Sequence, residues 1–188
     1  MVDSNRFAFK EWAVICKALA TGRQSLLLRK GGIHERGGRF EMEHCEFWLF
    51  PTRFHQSPDE IRDDARDLMT QITNDAPLPG TVDLSLYAVV EDVIELTDES
   101  RLTRLAELQI LAQHTLVDRF RYRRPALFVL PARIYRRERS ITIVDTPQFA
   151  GCRTWVELGA ELSTVGLTPI LSDPMHAECM KAIRSALL

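Results

Sequence analysis

The sequence holds none of the short motifs that announce a particular chemistry. It has no GxGxxG and no P-loop, so neither a dinucleotide fold nor a Walker-type phosphate cradle is indicated. It has no GxSxG, which removes the nucleophile elbow of the α/β-hydrolases. Its four cysteines, Cys16, Cys45, Cys152 and Cys179, are scattered with no CxxC pair, which argues against a structural zinc site. No apolar run approaches the roughly 18 residues a membrane span needs. The first residues include Asp3, Arg6, Lys10 and Glu11, unlike an export signal, so a cytoplasmic protein with reduced thiols is expected. Charge of one sign is also missing overall: 24 Lys and Arg stand against 26 Asp and Glu. No internal repeat and no low-complexity segment is visible. A length of 188 residues with 45% apolar content is enough for a sizeable core, and it suits one α+β domain over 1–188.

The stretch from Ser25 to Gln56 organises the rest. An apolar run, Leu26-Leu27-Leu28, stops at Arg29-Lys30-Gly31-Gly32, and a second, Phe47-Trp48-Leu49-Phe50, stops at Pro51-Thr52. Between them lie two glycine pairs and many charged groups, among them His34 and His44, and His55 follows. The pattern predicts two buried neighbouring strands that carry a polar loop between them, the second strand covering about Phe40 to Phe50. Arg29, Lys30, Gly31 and Gly32 are expected to line a concave surface, with Pro51, Thr52 and His55 near it.

Elsewhere, three- and four-residue spacing predicts a helix from Phe7 to Ala20, stopped at Gly22, with Lys10 and Glu11 on its solvated flank. Ser57-Pro58-Asp59-Glu60 predicts a capped helix start. Val82 to Leu96 alternates as one long strand, bent near Glu91-Asp92. Helices are expected after Thr97-Asp98, over Thr115 to Tyr122, over Trp155 to Leu162 and after Asp173-Pro174. Strands are expected over Pro125 to Arg137 and Ser140 to Val144, with a turn between. The fold class is therefore α+β, a mixed sheet of about five strands with helices packed around it.

Four segments carry a resemblance: KEW at Lys10 to Trp12, LLLRKGGI at Leu26 to Ile33, FWLFPTRFHQ at Phe47 to Gln56, and GCRTW at Gly151 to Trp155. They resemble the bacterial family known as domain of unknown function 1802. That likeness implies a bacterial cytoplasmic domain and assigns no catalytic residue.

Three functions from different classes stay open. The first is contact with RNA or DNA. Eight arginines (119, 121, 123, 124, 133, 136, 137, 139) crowd the segment to Arg139, interleaved with Phe120, Tyr122 and Tyr135. Arginine matches phosphate, and aromatic rings stack on bases. The candidate contacts are Arg121, Tyr122, Arg124, Tyr135, Arg136 and Arg137, together with Arg29, Lys30, Gly31 and Gly32. The bland alternative is that these arginines guard an edge strand or pair with acidic helices of the same domain. The second function is a divalent-metal phosphodiesterase built from Glu43, His44, Glu46 and His55, with Glu35 and Lys30 nearby. A histidine at a strand entrance is more often structural. The third is a protein-interaction module. No cofactor and no membrane partner are expected.

Overall fold

The computed structural model describes residues 1–30, 42–151 and 153–187, and the backbone of 35, 36, 39 and 40. Gly31, Gly32, His34 and Cys152 lie outside that set, as do both residues of the Gly37-Gly38 pair. The expectations placed on them therefore lie outside the described residues.

The chain opens with strand β1 (Ser4–Trp12), which runs without a loop into helix α1 (Ala13–Ala20). The expected helix over Phe7 to Ala20 is corrected. Cys16, Leu19 and Ala20 do share helical spacing, but Phe9 and Trp12 before them belong to a strand. Gly22 ends the helix at φ +72°, where a side chain would also meet Leu171 at 2.7 Å. Strand β2 (Leu26–Arg29) follows, then a two-residue ladder of β3 (Glu35–Arg36) and β4 (Arg39–Phe40), then β5 (Glu46–Thr52). The second organising strand thus starts six residues later than its alternation suggested.

Ser57 caps as expected, accepting from the Asp59 N–H, but two short 3₁₀ turns follow, Pro58–Glu60 and Asp63–Ala65. The helix itself, α2, spans Asp67–Asn74. Strands β6 (Thr81–Val90) and β7 (Ile94–Leu96) flank the predicted bend. Asp98 caps a 3₁₀ segment over Glu99–Leu108, and α3 occupies Gln113–Arg121. Strand β8 (Leu127–Val144) is continuous through the turn expected near Arg137. The ladder slips there instead: β6 advances from Leu84 to Leu86 while β8 falls back from Ile141 to Arg136. The helix expected over Trp155 to Leu162 is strand β9 (Trp155–Ser163). Its Gly159, at φ +76°, sits where the β9 register slips against Asn5 and Phe7, a conformation that suits a bulge. A two-residue strand, β10 (Thr168–Pro169), and helix α4 (Asp173–Leu187) complete the chain.

The main ladder runs β10-β8-β6-β5-β1-β9, with β2 and β7 also paired to β8. The eight strands form one mixed sheet, more than the five expected but the same α+β class. The only parallel pair described is β1 with β5. Because sheet side chains alternate, Phe9, Phe47 and Leu49 pack one face under α1, α2 and α3, while Ala8, Trp48 and Phe50 pack the other against Phe149 and Val156. The first half of β8 pairs with β2 and is buried on both faces, which explains its unbroken apolar run. Among the described residues, no helix is long and apolar enough to cross a membrane.

Candidate functional site

Parallel pairing fixes where the site forms. The β1–β5 register ends with Glu11 opposite Pro51 and Trp12 opposite Thr52, so both strands deliver their carboxyl ends to one edge. Helix α1 starts at that same edge. Its first turn has no acidic residue, and one early amide, Val14 N–H, is taken by Gln56 Oε1 at 3.3 Å. Arg29 at the end of β2 and Arg119 in the last turn of α3 close in from the helical side. The loop through Phe149, Gly151 and Arg153 closes from the other. Together these walls line a cleft of about 1460 Å³.

The four segments that carried the family resemblance come from four separate parts of the chain. Each contributes to this one cleft: Lys10, Glu11 and Trp12; Arg29 and Lys30; Pro51 through His55; Gly151, Arg153 and Thr154. The strands β2 and β5 are not neighbours, contrary to expectation, since β8 holds the first and β1 and β6 hold the second. Even so, Arg29, Lys30, Pro51, Thr52 and His55 share the cleft.

Glu11 is the most deeply placed ionisable group of the site, 3% exposed, and not the solvated flank expected of it. Its Oε1 accepts from the Trp12 N–H at 2.8 Å, and its Oε2 lies 3.5 Å from Arg29 Nη2 with no hydrogen-bond donor among the described residues. The Arg29 guanidinium lies 4.0 Å over the Phe9 ring and donates to the Lys10 carbonyl, while its buried Nε has no acceptor. Arg119 rests 4.3 Å over the Trp12 ring. Burial lowers the pKa of Arg119; Glu11 draws it back up, and Arg29 pushes it further down.

Four further cleft cations are anchored by backbone carbonyls. Lys10 Nζ donates to Phe149 O and, at 3.1 Å, to Gly151 O. Lys30 Nζ donates to the carbonyls of Phe120, Arg124 and Ala126, closing the end of α3; burial, helped by Arg124, lowers its pKa. Arg53 donates to Ile72 O, and Arg136 to Ala20 O. Eight Lys and Arg line the cleft against four Asp and Glu, in a chain that is nearly neutral. Of those carboxylates, Asp75 is held by Lys17 at 2.8 Å and Asp83 accepts from Thr142.

The arginine-rich segment does not form one surface. Arg119 to Arg124 close α3, while Arg133 to Arg139 belong to β8. Arg121 makes a two-pronged pair with Glu99 at 2.6 and 2.9 Å, Arg124 pairs with Glu95, and Arg133 with Asp173. Arg137 donates to Ser163 O at 2.9 Å. Tyr122 is exposed beneath Arg123, and Tyr135 packs on the sheet face away from the helices. Of the expected nucleic-acid contacts, the structure brings Arg29, Lys30 and Arg136 to the cleft and leaves Arg121, Tyr122, Arg124, Tyr135 and Arg137 outside it.

The candidate metal ligands do not converge either. His44 stacks on Phe7 at 3.7 Å and meets Trp155 edge-on, and burial lowers its pKa against the pull of Glu43. Glu46 accepts from the Tyr87 hydroxyl and the Val2 N–H. His55 is at the cleft, beyond the end of β5. Among the described residues, no group of three His, Cys, Asp or Glu could hold a metal ion. Sequence reasoning does not single out Glu11, Arg153 or Phe54, and it counts Arg119 only within the arginine-rich segment. The signal for the first lies in KEW, which ends strand β1 and does not lie within a helix.

The family described as "Domain of unknown function (DUF1802)" matches residues 8–182. The chain belongs to that family. No curated protein matches it. Two solved structures are similar in overall form. One is a ZmASCH mutant protein from Zymomonas mobilis, with 11% identity and a TM-score of 0.48 over 97% of this chain and 99% of that one. The other is ASCH from Zymomonas mobilis, with 13% identity and a TM-score of 0.46 over 95% and 93%.

Proposed function

We propose that this DUF1802 chain is a binding domain that takes RNA or DNA by its phosphates in the cleft at the carboxyl ends of β1 and β5. The observation that supports this reading is how the cleft cations are held. Lys10, Lys30, Arg53 and Arg136 are fixed by neutral carbonyls, which set the geometry of each side chain without placing a counter-charge beside it. A pre-ordered cation loses little conformational freedom when a phosphate arrives. The cleft volume, about 1460 Å³, exceeds the roughly 300–1,000 Å³ of ordinary small-molecule pockets and suits a polymer segment.

The decisive measurement is affinity for single-stranded RNA, single-stranded DNA and duplex DNA as salt is raised. Each phosphate neutralised releases bound cations, so log affinity should fall against log salt by about 0.7 per contact on a single strand. Absence of binding to all three at low salt, or affinity that ignores salt, would sink the proposal.

A further inference from the structure

The mouth of the cleft carries apolar groups that phosphate contact alone does not require. Phe54 is 64% exposed and Leu78 is 76% exposed, and both line the cleft beside Pro77 and Pro79. A phenylalanine ring left in water forgoes the stabilisation of burial. Its position is nevertheless fixed by the backbone. Pro51 and Thr52 end β5, and Thr52 Oγ1 accepts from the Phe54 N–H at 3.3 Å. The next residue, His55, adopts φ +63°, a costly conformation for a residue with a side chain. That backbone lays the His55 ring against Phe54, with centroids 3.9 Å apart. The β1–β5 register puts this turn just past Trp12, at the cationic edge of the cleft.

Resting on the nucleic-acid reading above, we propose that Phe54 is a stacking platform for an unpaired base whose phosphates lie among the cleft cations. Every base has a π-face, so such a platform favours single strands with little sequence preference. A duplex keeps its bases stacked on one another and cannot offer one.

The test compares the parent chain with Phe54→Ala and Phe54→Trp. The probes are a short homopolymeric single-stranded RNA, a blunt duplex of equal length, and inorganic polyphosphate, which has the charge without the bases. Phe54→Ala should weaken RNA binding by roughly 5- to 150-fold, the range expected for one lost stack, and leave polyphosphate binding within about twofold. Phe54→Trp should hold or raise RNA affinity. Equal losses for RNA and polyphosphate, unchanged RNA affinity in Phe54→Ala, or a duplex bound as well as the single strand would each overturn the platform. If polyphosphate and RNA bind the parent equally well, the platform fails while phosphate recognition stands. If no probe binds, the cleft reading falls with it.

Discussion

Two groups of basic residues in this molecule are ordered by different acceptors, and their electrostatics differ accordingly. Around the cleft, Lys10, Lys30, Arg53 and Arg136 are held by main-chain carbonyls. On the outside, Arg121, Arg124 and Arg133 are held by Glu99, Glu95 and Asp173. A carboxylate cancels the charge it orders, whereas a carbonyl orders the side chain and leaves the charge in place. Density of arginine in a sequence therefore says little about where positive potential will be. What matters is the identity of the acceptor, and only the fold shows that.

The sharpest way to break the comparison is at the cleft cation that faces the buried carboxylate. Arg29 is the described ion-pair partner of Glu11, whose side chain is 2% exposed. Arg29→Met would strand a buried carboxylate, so we expect a loss of about 3 kcal/mol in urea denaturation. Adding Glu11→Gln should restore more than half of it. The single variant should lose nucleic-acid affinity, because it leaves the Glu11 charge uncompensated in the cleft, and the double variant, which removes both charges of the pair, should lose less. A double variant that stays as unstable as the single one would mean that Arg29 stabilises through its contact with Phe9 instead.

Next in size is the contrast in salt dependence. Arg119 and Arg153 line the cleft without a carboxylate partner among the described residues. Arg119→Met and Arg153→Met should each lower the salt slope on a single strand by about 0.7, if each meets one phosphate. Arg121→Met and Arg124→Met, on the outside, should leave it unchanged. A reversed pattern would return the function to the arginine-rich segment.

Much of the frame was legible before the fold. The Leu26–Leu28 and Phe47–Phe50 runs, the bend after Val90 and the last helix follow from periodicity and turn residues. The errors share a cause. Strand β1 and helix α1 join without punctuation, so one periodicity spread over both. In β9, Trp155, Val156, Leu158 and Leu162 can be spaced on a helix as easily as on a strand, and only pairing to β1 decides. Within the candidate site, Arg29 and His55 were readable because they flank abrupt stops. Glu11 was not, because its burial depends on Arg29 and Arg119, which arrive from distant segments. The compensation of Arg121 by Glu99 is equally non-local.

A smaller effect should appear when that compensation is removed. Glu95→Gln with Glu99→Gln leaves Arg121 and Arg124 without their carboxylates. Exposed pairs contribute little to stability, so the melting temperature should barely move. Weak, sequence-independent affinity for duplex DNA at low salt should rise, since free surface arginines supply that term. No rise would show that these arginines are held away from phosphate by something besides their partners.

The smallest effect is a pH dependence that separates the two groups once more. Carbonyls do not titrate in water, so the anchoring of the cleft cations has no acid limb of its own. The outer pairs do. Arg121 holds the Glu99 carboxyl below its ordinary range, and Arg133 does the same for Asp173. A carboxyl depressed in the folded state stabilises the fold above its unfolded pKa, and that contribution is lost as pH falls through the depressed value. Its loss belongs below the usual carboxylate range, under about pH 4. His44 acts earlier. Its pKa is lowered by burial between Phe7 and Trp155, so below about pH 6.5 the unfolded chain takes up a proton that the folded chain resists. Stability should therefore sag gently from pH 6.5 downward, level off once the folded His44 protonates, and fall again in the carboxylate range. His44→Phe should erase the first step and keep the second. Denaturation midpoints from pH 7.5 to 3.5 would show both; a first step that survives His44→Phe would overturn its assignment to His44.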